Sequence, residues 1–244
     1  MTHRAGGKPI TGARKPPHGG GSDPGPATNS LGELARRVRT ADVVDAMGRL
    51  HQHRSDLLDL VSPTPGRVLF GPAVTISYFP TCRTALPPER YNFKRLFYEA
   101  IADGAEGCVL VLASNGYTDT SLGGGTKLSR VQNRRLAGIL TDGRLRDFAE
   151  LQRSDLAIYC RGEATRWGGD VVTPFEANRS VVLAGVGIHP GDYIFADPSG
   201  AVAIPANDVR TVLQGACQVS VEDTESIAAI RDETPSTSSA KTER

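Results

Sequence analysis

The chain has 244 residues, 39% hydrophobic and 23% charged, with a net charge of +1. That length can bury a sizeable core, and the near-neutral balance gives no electrostatic case for nucleic acid or an anionic membrane surface. No run approaches the ~20 consecutive apolar residues needed to cross a bilayer. The four cysteines (82, 108, 160 and 217) lack CxxC spacing, which argues against a zinc cluster and for free thiols in a cytoplasmic setting.

Residues 1–29 are rich in Gly, Pro, Lys and Arg, have no apolar signal-like segment, and are expected to be a disordered tail. The end, 232–244, is expected to be disordered as well, leaving one folded unit over 30–231. Thr40 is placed to cap a helix carrying Val43, Val44 and Met47 on one face. "RVLFGPAVTISYF" predicts strand, and "FKRLFYEAIADG" predicts a helix stopped by Gly104. "GCVLVLAS" is a continuous apolar run, as in a strand covered on both faces.

A polar loop, Gly123-Gly124-Gly125 and a helix ended by Gly138 follow, then a strand in "GILTDG" and a helix in "RDFAELQRS". After "LAIYCRG" the chain turns strand-rich through "SVVLAGVGI", "GDYIFADPSG" and "AVAIP". A helix is predicted over about 207–218, with a second helical piece in "EDTESIAAIRDE". The pattern is α/β.

Two stretches can carry chemistry. The glycine run before a helix lets backbone N–H groups converge on a carboxylate or phosphate, or it is simply a flexible loop. It matches no nucleotide-binding pattern. Arg146-Asp147 stands at a strand-to-helix switch, where ligands of open α/β sheets bind; Arg forks onto an anion and Asp ligates a hard cation such as Mg²⁺. Glu150 falls on the same helix face and is placed to hold metal-bound water. The same acids at a helix start also serve the macrodipole alone. Lys127 is either a second cation for an anionic substrate or a solvated helix residue. Trp167 lines a pocket or covers a core edge, and His189 is read as packing at a strand end.

"TADVVDAMGRL", "GPAVTI", "GCVLVLAS", "AGILTDGRLRDFAEL" and "GVGIHPGDYIFADPSGAVAIPA" together resemble the RraA-like family over residues 31–231. That family holds class II pyruvate aldolases acting on 4-hydroxy-4-methyl-2-oxoglutarate and 4-carboxy-4-hydroxy-2-oxoadipate, and the regulator of ribonuclease activity A. The resemblance implies a single-domain swivelling β/β/α sandwich, assembled as a homotrimer or hexamer. It implies a divalent metal (Mg²⁺ or Mn²⁺) ligated by Asp147, with Glu150 acting through water and Arg146 binding the pyruvyl group and stabilising its enolate. Gly124, Gly125, Thr126, Lys127 and Leu128 would hold the substrate carboxylate. Glu225, or Glu222, would reach a neighbouring subunit's site.

Regulator-type members look as if they lack the acid found here at Glu150. The active aldolases carry an acid where this chain has Gly125, twenty residues before Arg146, and Asp119 on the preceding loop is the substitute considered. Three functions stay open: a metal-dependent lyase that cleaves or decarboxylates a 2-oxo acid, a related biosynthetic enzyme with another substrate, and a non-catalytic ribonuclease-binding ring.

Overall fold

The computed structural model describes residues 30–51, 53–104 and 106–233. The tail expected over 1–29 lies outside them, as does the tail expected over 232–244 except for its first two residues, where Asp232 is still the last residue of a helix. Two short helices open the fold, α1 (Leu31–Ala35) and α2 (Thr40–Leu50), before a two-residue strand β1 (Asp56–Leu57) and the long β2 (Leu69–Pro80). Then come α3 (Phe93–Ala100), β3 (Val109–Ala113), β4 (Ser121–Gly123), α4 (Gly125–Asn133), β5 (Gly138–Thr141), β6 (Arg144–Leu145), α5 (Phe148–Leu151) and β7 (Ala157–Tyr159). The strand-rich end holds β8 (Val172–Ala177), β9 (Val181–Leu183), β10 (Val186–Ile188), β11 (Tyr193–Asp197) and β12 (Gly200–Ile204), closed by α6 (Val209–Asp232).

One sheet runs β1-β12-β11-β2-β3-β5-β7, with β8 also paired to β2. Its β2, β3, β5 and β7 half is parallel and its β11, β12 and β1 half antiparallel. Side chains alternate between faces along each strand. Val109, Val111 and Leu140 therefore pack with Leu183 and Ile188 of the β9–β10 hairpin on one face. Leu110, Leu112 and Ile139 pack on the other, under Phe97 of α3, Leu128 of α4 and Leu151 of α5. Beside them, Phe195, Val202 and Ile204 meet α2 and α6. Both faces are covered, which is why β3, β5 and β12 read as unbroken apolar runs.

Three local expectations differ from the structure. Thr40 is the first residue of α2 and not its cap; Asp42 turns back to accept from the Arg39 N–H at 2.8 Å, while the Thr40 N–H donates to buried Asp197 at 2.8 Å. Helix α4 ends at Asn133, and the left-handed turn falls on Arg135 (φ 57°), so Gly138 begins a strand. The two helical pieces expected after residue 207 are one 24-residue helix, because nothing between Gln218 and Glu222 breaks it. Of the cysteines, only Cys160 is buried, and burial pushes its thiol up to about 11.

Gly138 is fixed by close approach. A Cβ there would fall 1.9 Å from the Ala157 carbonyl oxygen and 2.7 Å from Leu69 Cδ1. Gly138→Ala is therefore expected to cost about 3 kcal/mol through overpacking of the central sheet, read as a lower urea midpoint at unchanged slope.

Candidate active site

The loops after β3 and β5 leave the same, C-terminal end of the parallel sheet. Buried Asp142 joins them, accepting the Ser114 N–H at 2.7 Å. Thr141 Oγ1 donates to the Leu112 carbonyl at 2.7 Å and accepts the Gly143 N–H at 3.0 Å. Beyond this anchor the loops pair as β4 and β6, which run parallel. That pairing sets Gly124-Gly125 against Arg146-Asp147.

The contact is tight. A Cβ on Gly124 would lie 2.6 Å from Asp147 Oδ2 and 3.1 Å from Arg146 Cβ, so only glycine fits beneath the pair. Asp147 itself sits in the left-handed region (φ 64°, ψ 46°), a conformation costing a non-glycine residue roughly 1 kcal/mol or more. In return its Oδ2 accepts the Gly125 N–H at 3.0 Å, capping α4 for about 1 kcal/mol. Those two amounts nearly cancel, so capping alone gives no reason to keep a strained carboxylate here.

Arg146 is explained even less by stability. Its guanidinium makes no hydrogen bond among the described residues, and its nearest carboxylate oxygen, Asp147 Oδ1, is 3.8 Å away. The two side chains are 36% and 42% exposed, so such a pair contributes little. The fork is left open toward a cavity of about 250 Å³, whose walls include Ser121, Gly124, Thr126, Lys127, Asp147 and Trp167. Lys127 is the second cation there. Burial and the neighbouring Arg146 charge hold its pKa below the ordinary lysine range, and its Nζ lies 5.8 Å from the Phe93 ring centroid.

The remaining predicted residues are placed as follows. Of the amides from Gly125 to Leu128, Gly125 donates to Asp147, and Lys127 and Leu128 both donate to the Gly124 carbonyl, which leaves the Thr126 N–H open. Glu150 stands behind Gly125, pairs with Arg153 at 3.1 Å and faces a separate depression with Gln132 and Ser154. Asp119 pairs with Arg144 at 3.1 Å on the far side of Trp167. Glu225 lies on the exposed outer half of α6 and Glu222 is paired with Arg49; neither lines the cleft of its own chain. Trp167 forms the cleft rim, 52% exposed. His189 stays outside, hydrogen bonded to Ser180.

Gly125 and Glu150 are linked sterically. A Cβ on Gly125 would lie 2.9 Å from Glu150 Cγ and 3.3 Å from its Cβ. Gly125→Asp is thus expected to cost about 1–2 kcal/mol alone and much less in a Glu150→Ala background. A thermal-denaturation double-mutant cycle reads the coupling.

Among the described residues no cluster of three or more His, Cys, Asp or Glu side chains surrounds a point. One open carboxylate oxygen on Asp147 nevertheless fits a hard divalent cation such as Mg²⁺, which keeps several waters and binds through one or two carboxylates plus substrate oxygens.

Sequence comparison matches the Aldolase/RraA model of the RraA-like family over residues 40–203. The chain belongs to the RraA-like family. It is 28% identical over 178 residues to the protein DlpA of Legionella pneumophila, covering 71% of this chain but 26% of DlpA. It is 28% identical over 134 residues to a candidate 4-hydroxy-4-methyl-2-oxoglutarate aldolase of Halalkalibacterium halodurans, covering 55% of this chain and 63% of that one. The chain thus spans about a quarter and somewhat under two thirds of these relatives. Its backbone superposes on Streptomyces coelicolor RraAS2, described as an unusual member of the RNase ES inhibitor RraA family, with TM-score 0.67 at 26% identity over 82% of this chain and 98% of that one.

The RraA-like fold thus agrees with the expected β/β/α architecture. The segments not singled out from sequence as site elements are 78–93 and 169–174, which wall a second cavity adjoining the cleft and meet where β8 pairs with the end of β2. Their residues are ordinary strand and turn types, so no local signal marks them.

Proposed function

We propose that this chain is a divalent-metal-dependent carbon–carbon lyase acting on a 2-oxo acid by way of a pyruvate enolate. The observation that carries the reading is the unpartnered Arg146 fork beside a strained Asp147 on one wall of a cleft. Stability explains neither residue, and strained, unpaired groups collect where function holds them. The relatives' aldolase name points the same way.

Arg146 would fork onto the substrate's carboxylate and 2-oxo oxygens and offset the negative charge that grows on the enolate oxygen as the C3–C4 bond breaks. Asp147 would hold the metal, which when bound supplies Lewis-acid polarisation of the 2-oxo group. Lys127 and the Thr126 N–H would take the outer carboxylate oxygen. None of the described histidines lines the cleft. The proton leaving the 4-hydroxyl and the one returning to C3 would therefore pass through water. The projecting end of α6, with Ile227 and Ile230 50% and 62% exposed, would dock on a neighbouring subunit of a homotrimer or hexamer and carry Glu225 toward its cleft.

The depressed Lys127 sets a pH dependence. Its charge is lost, as pH rises, at a lower pH than for a free lysine near 10.4. KM for a 2-oxo acid is expected to climb on the alkaline side below that value, with the inflection absent from Lys127→Arg.

The test is pyruvate release from oxaloacetate and from 4-hydroxy-4-methyl-2-oxoglutarate with Mg²⁺ or Mn²⁺, read through coupled lactate dehydrogenase. Release from either, lost with EDTA, supports the lyase. No release from either by a folded oligomer would sink the assignment to these two substrates and leave a different substrate or the ribonuclease-binding regulator, the reading that Gly125 in place of an acid supports.

A further inference from the structure

A second cavity of about 400 Å³ adjoins the Arg146 cleft and shares Ser121, Lys127 and Trp167 with it. Its other walls come from the end of β2, the turn before α3, and β8. Apart from Arg83 and the Tyr91 hydroxyl, the polar side chains on these walls are already engaged. Tyr78 is buried and donates its hydroxyl to the Leu122 carbonyl at 2.6 Å, so it presents only its ring. Thr81 and Thr173 share a hydrogen bond at 3.0 Å. Asn92 caps α3 through Oδ1 and donates to the Pro88 and Glu89 carbonyls. Ser121 donates to the Gly123 carbonyl at 3.0 Å.

The rest of the lining is hydrocarbon and ring surface, held in place. Tyr91 stacks on Phe175 (5.8 Å between centroids, 13°) and Phe93 on Phe97 (5.9 Å, 16°). The Trp167 indole lies directly over Gly169, where any Cβ would meet the ring. No Asp or Glu lines the space, and its two cations are Lys127, at the waist shared with the Arg146 cleft, and exposed Arg83. A pre-formed apolar cavity opening from a polar corner is the form of a small-molecule site with one charged end.

We infer that this cavity takes the distal arm of the 2-oxo acid whose carboxylate meets Arg146 and Lys127, and that the arm is apolar and about the size of an aryl group. The inference rests on the 2-oxo acid reading and adds the substrate class to it. A short dicarboxylate would set its second charge against ring faces with only the solvent-exposed Arg83 as a cation beyond the waist, whereas a benzyl or phenylethyl arm would be desolvated there by about the area it buries.

Trp167 is the sole tryptophan of the chain and stands between the two cavities, so its emission reports occupancy of either. The experiment titrates 2-oxobutanoate and 4-phenyl-2-oxobutanoate into the full chain with Mg²⁺, exciting at a wavelength that spares tyrosine. The expected result is that the phenyl compound binds about tenfold tighter or more. Tyr91→Ala, a residue that does not line the Arg146 cleft, is expected to erase most of that advantage while 2-oxobutanoate affinity changes far less. Equal affinities in the wild type, with both compounds bound, would overturn the apolar-arm inference and leave the 2-oxo acid reading standing. If neither compound binds, the 2-oxo acid reading fails and the inference fails with it. Because the wild-type comparison involves no mutation, it decides the matter even if Tyr91→Ala folds poorly.

Discussion

Asp147→Asn is expected to lower kcat/KM for metal-dependent pyruvate release by about 10²–10³-fold while the protein stays folded. Asparagine keeps the shape and tolerates the left-handed conformation that residue 147 adopts. Its amide oxygen can still accept the Gly125 N–H, so the cap on α4 survives with a neutral acceptor. The stability loss should be about 1 kcal/mol or less, the difference between a charged and a neutral cap. Activity and stability therefore separate. Asp147→Ala is a poorer probe, because it removes the cap and leaves a Cβ in a strained backbone with no compensating bond. A parallel series of thermal melts and coupled-assay kinetics checks both halves, and an Asn variant with near wild-type turnover would sink the metal role.

Arg146→Lys should cost nearly as much, about a hundredfold in kcat/KM, although it conserves charge. The guanidinium offers a planar pair of donors that matches two oxygens of a 2-oxo acid, whereas an ammonium is a single point charge. Here the fork is not consumed by the fold, because it has no hydrogen bond among the described residues and only a 3.8 Å approach to Asp147. Removing it should therefore leave the melting temperature unchanged within a degree or two. Loss of the Arg146 charge beside Lys127 also removes one of the two causes that depress the Lys127 pKa. In Arg146→Ala the alkaline inflection attributed to Lys127 should accordingly move to higher pH.

These expectations trace back to residues already conspicuous in the sequence. Arg146 and Asp147 follow a continuous apolar strand, and the glycine run precedes a helix, so their meeting at one sheet end was legible from pattern and resemblance together. The reason for the glycines was not. Gly124 and Gly125 read as an anion cradle or a flexible loop, but the structure gives them a steric task, making room for Arg146 and Asp147 at one position and for Glu150 at the other. Asp147 takes one of the amides that would otherwise face a guest, a competition set by backbone angles rather than by spacing.

Other features escaped for different physical reasons. The continuity of α6 through residues 218–222 depends on the absence of a breaker, and charged residues there imitate a helix start. The aromatic cavity draws on Tyr78, Tyr91, Phe93 and Trp167, which lie up to 89 residues apart and are joined by the antiparallel pairing of β8 to β2 and the packing of α3 against both. Asp119, a reasonable stand-in carboxylate by position, is instead paired with Arg144, a partner brought close only when β6 runs beside β4.

The proposed lyase requires one corner, Arg146 with Asp147, to hold a divalent metal and the oxygens of a 2-oxo acid together. Oxalate mimics the planar enolate of pyruvate, and if metal and anion share the corner each must tighten the other by the same factor. The most direct measurement is an electron paramagnetic resonance titration of Mn²⁺ with and without oxalate, for wild type, Asp147→Asn and Arg146→Lys. The expected result is Mn²⁺ binding strengthened by oxalate in the wild type, Mn²⁺ binding lost in Asp147→Asn, and the oxalate enhancement lost in Arg146→Lys. Mn²⁺ binding that is equal in all three proteins and indifferent to oxalate would contradict it.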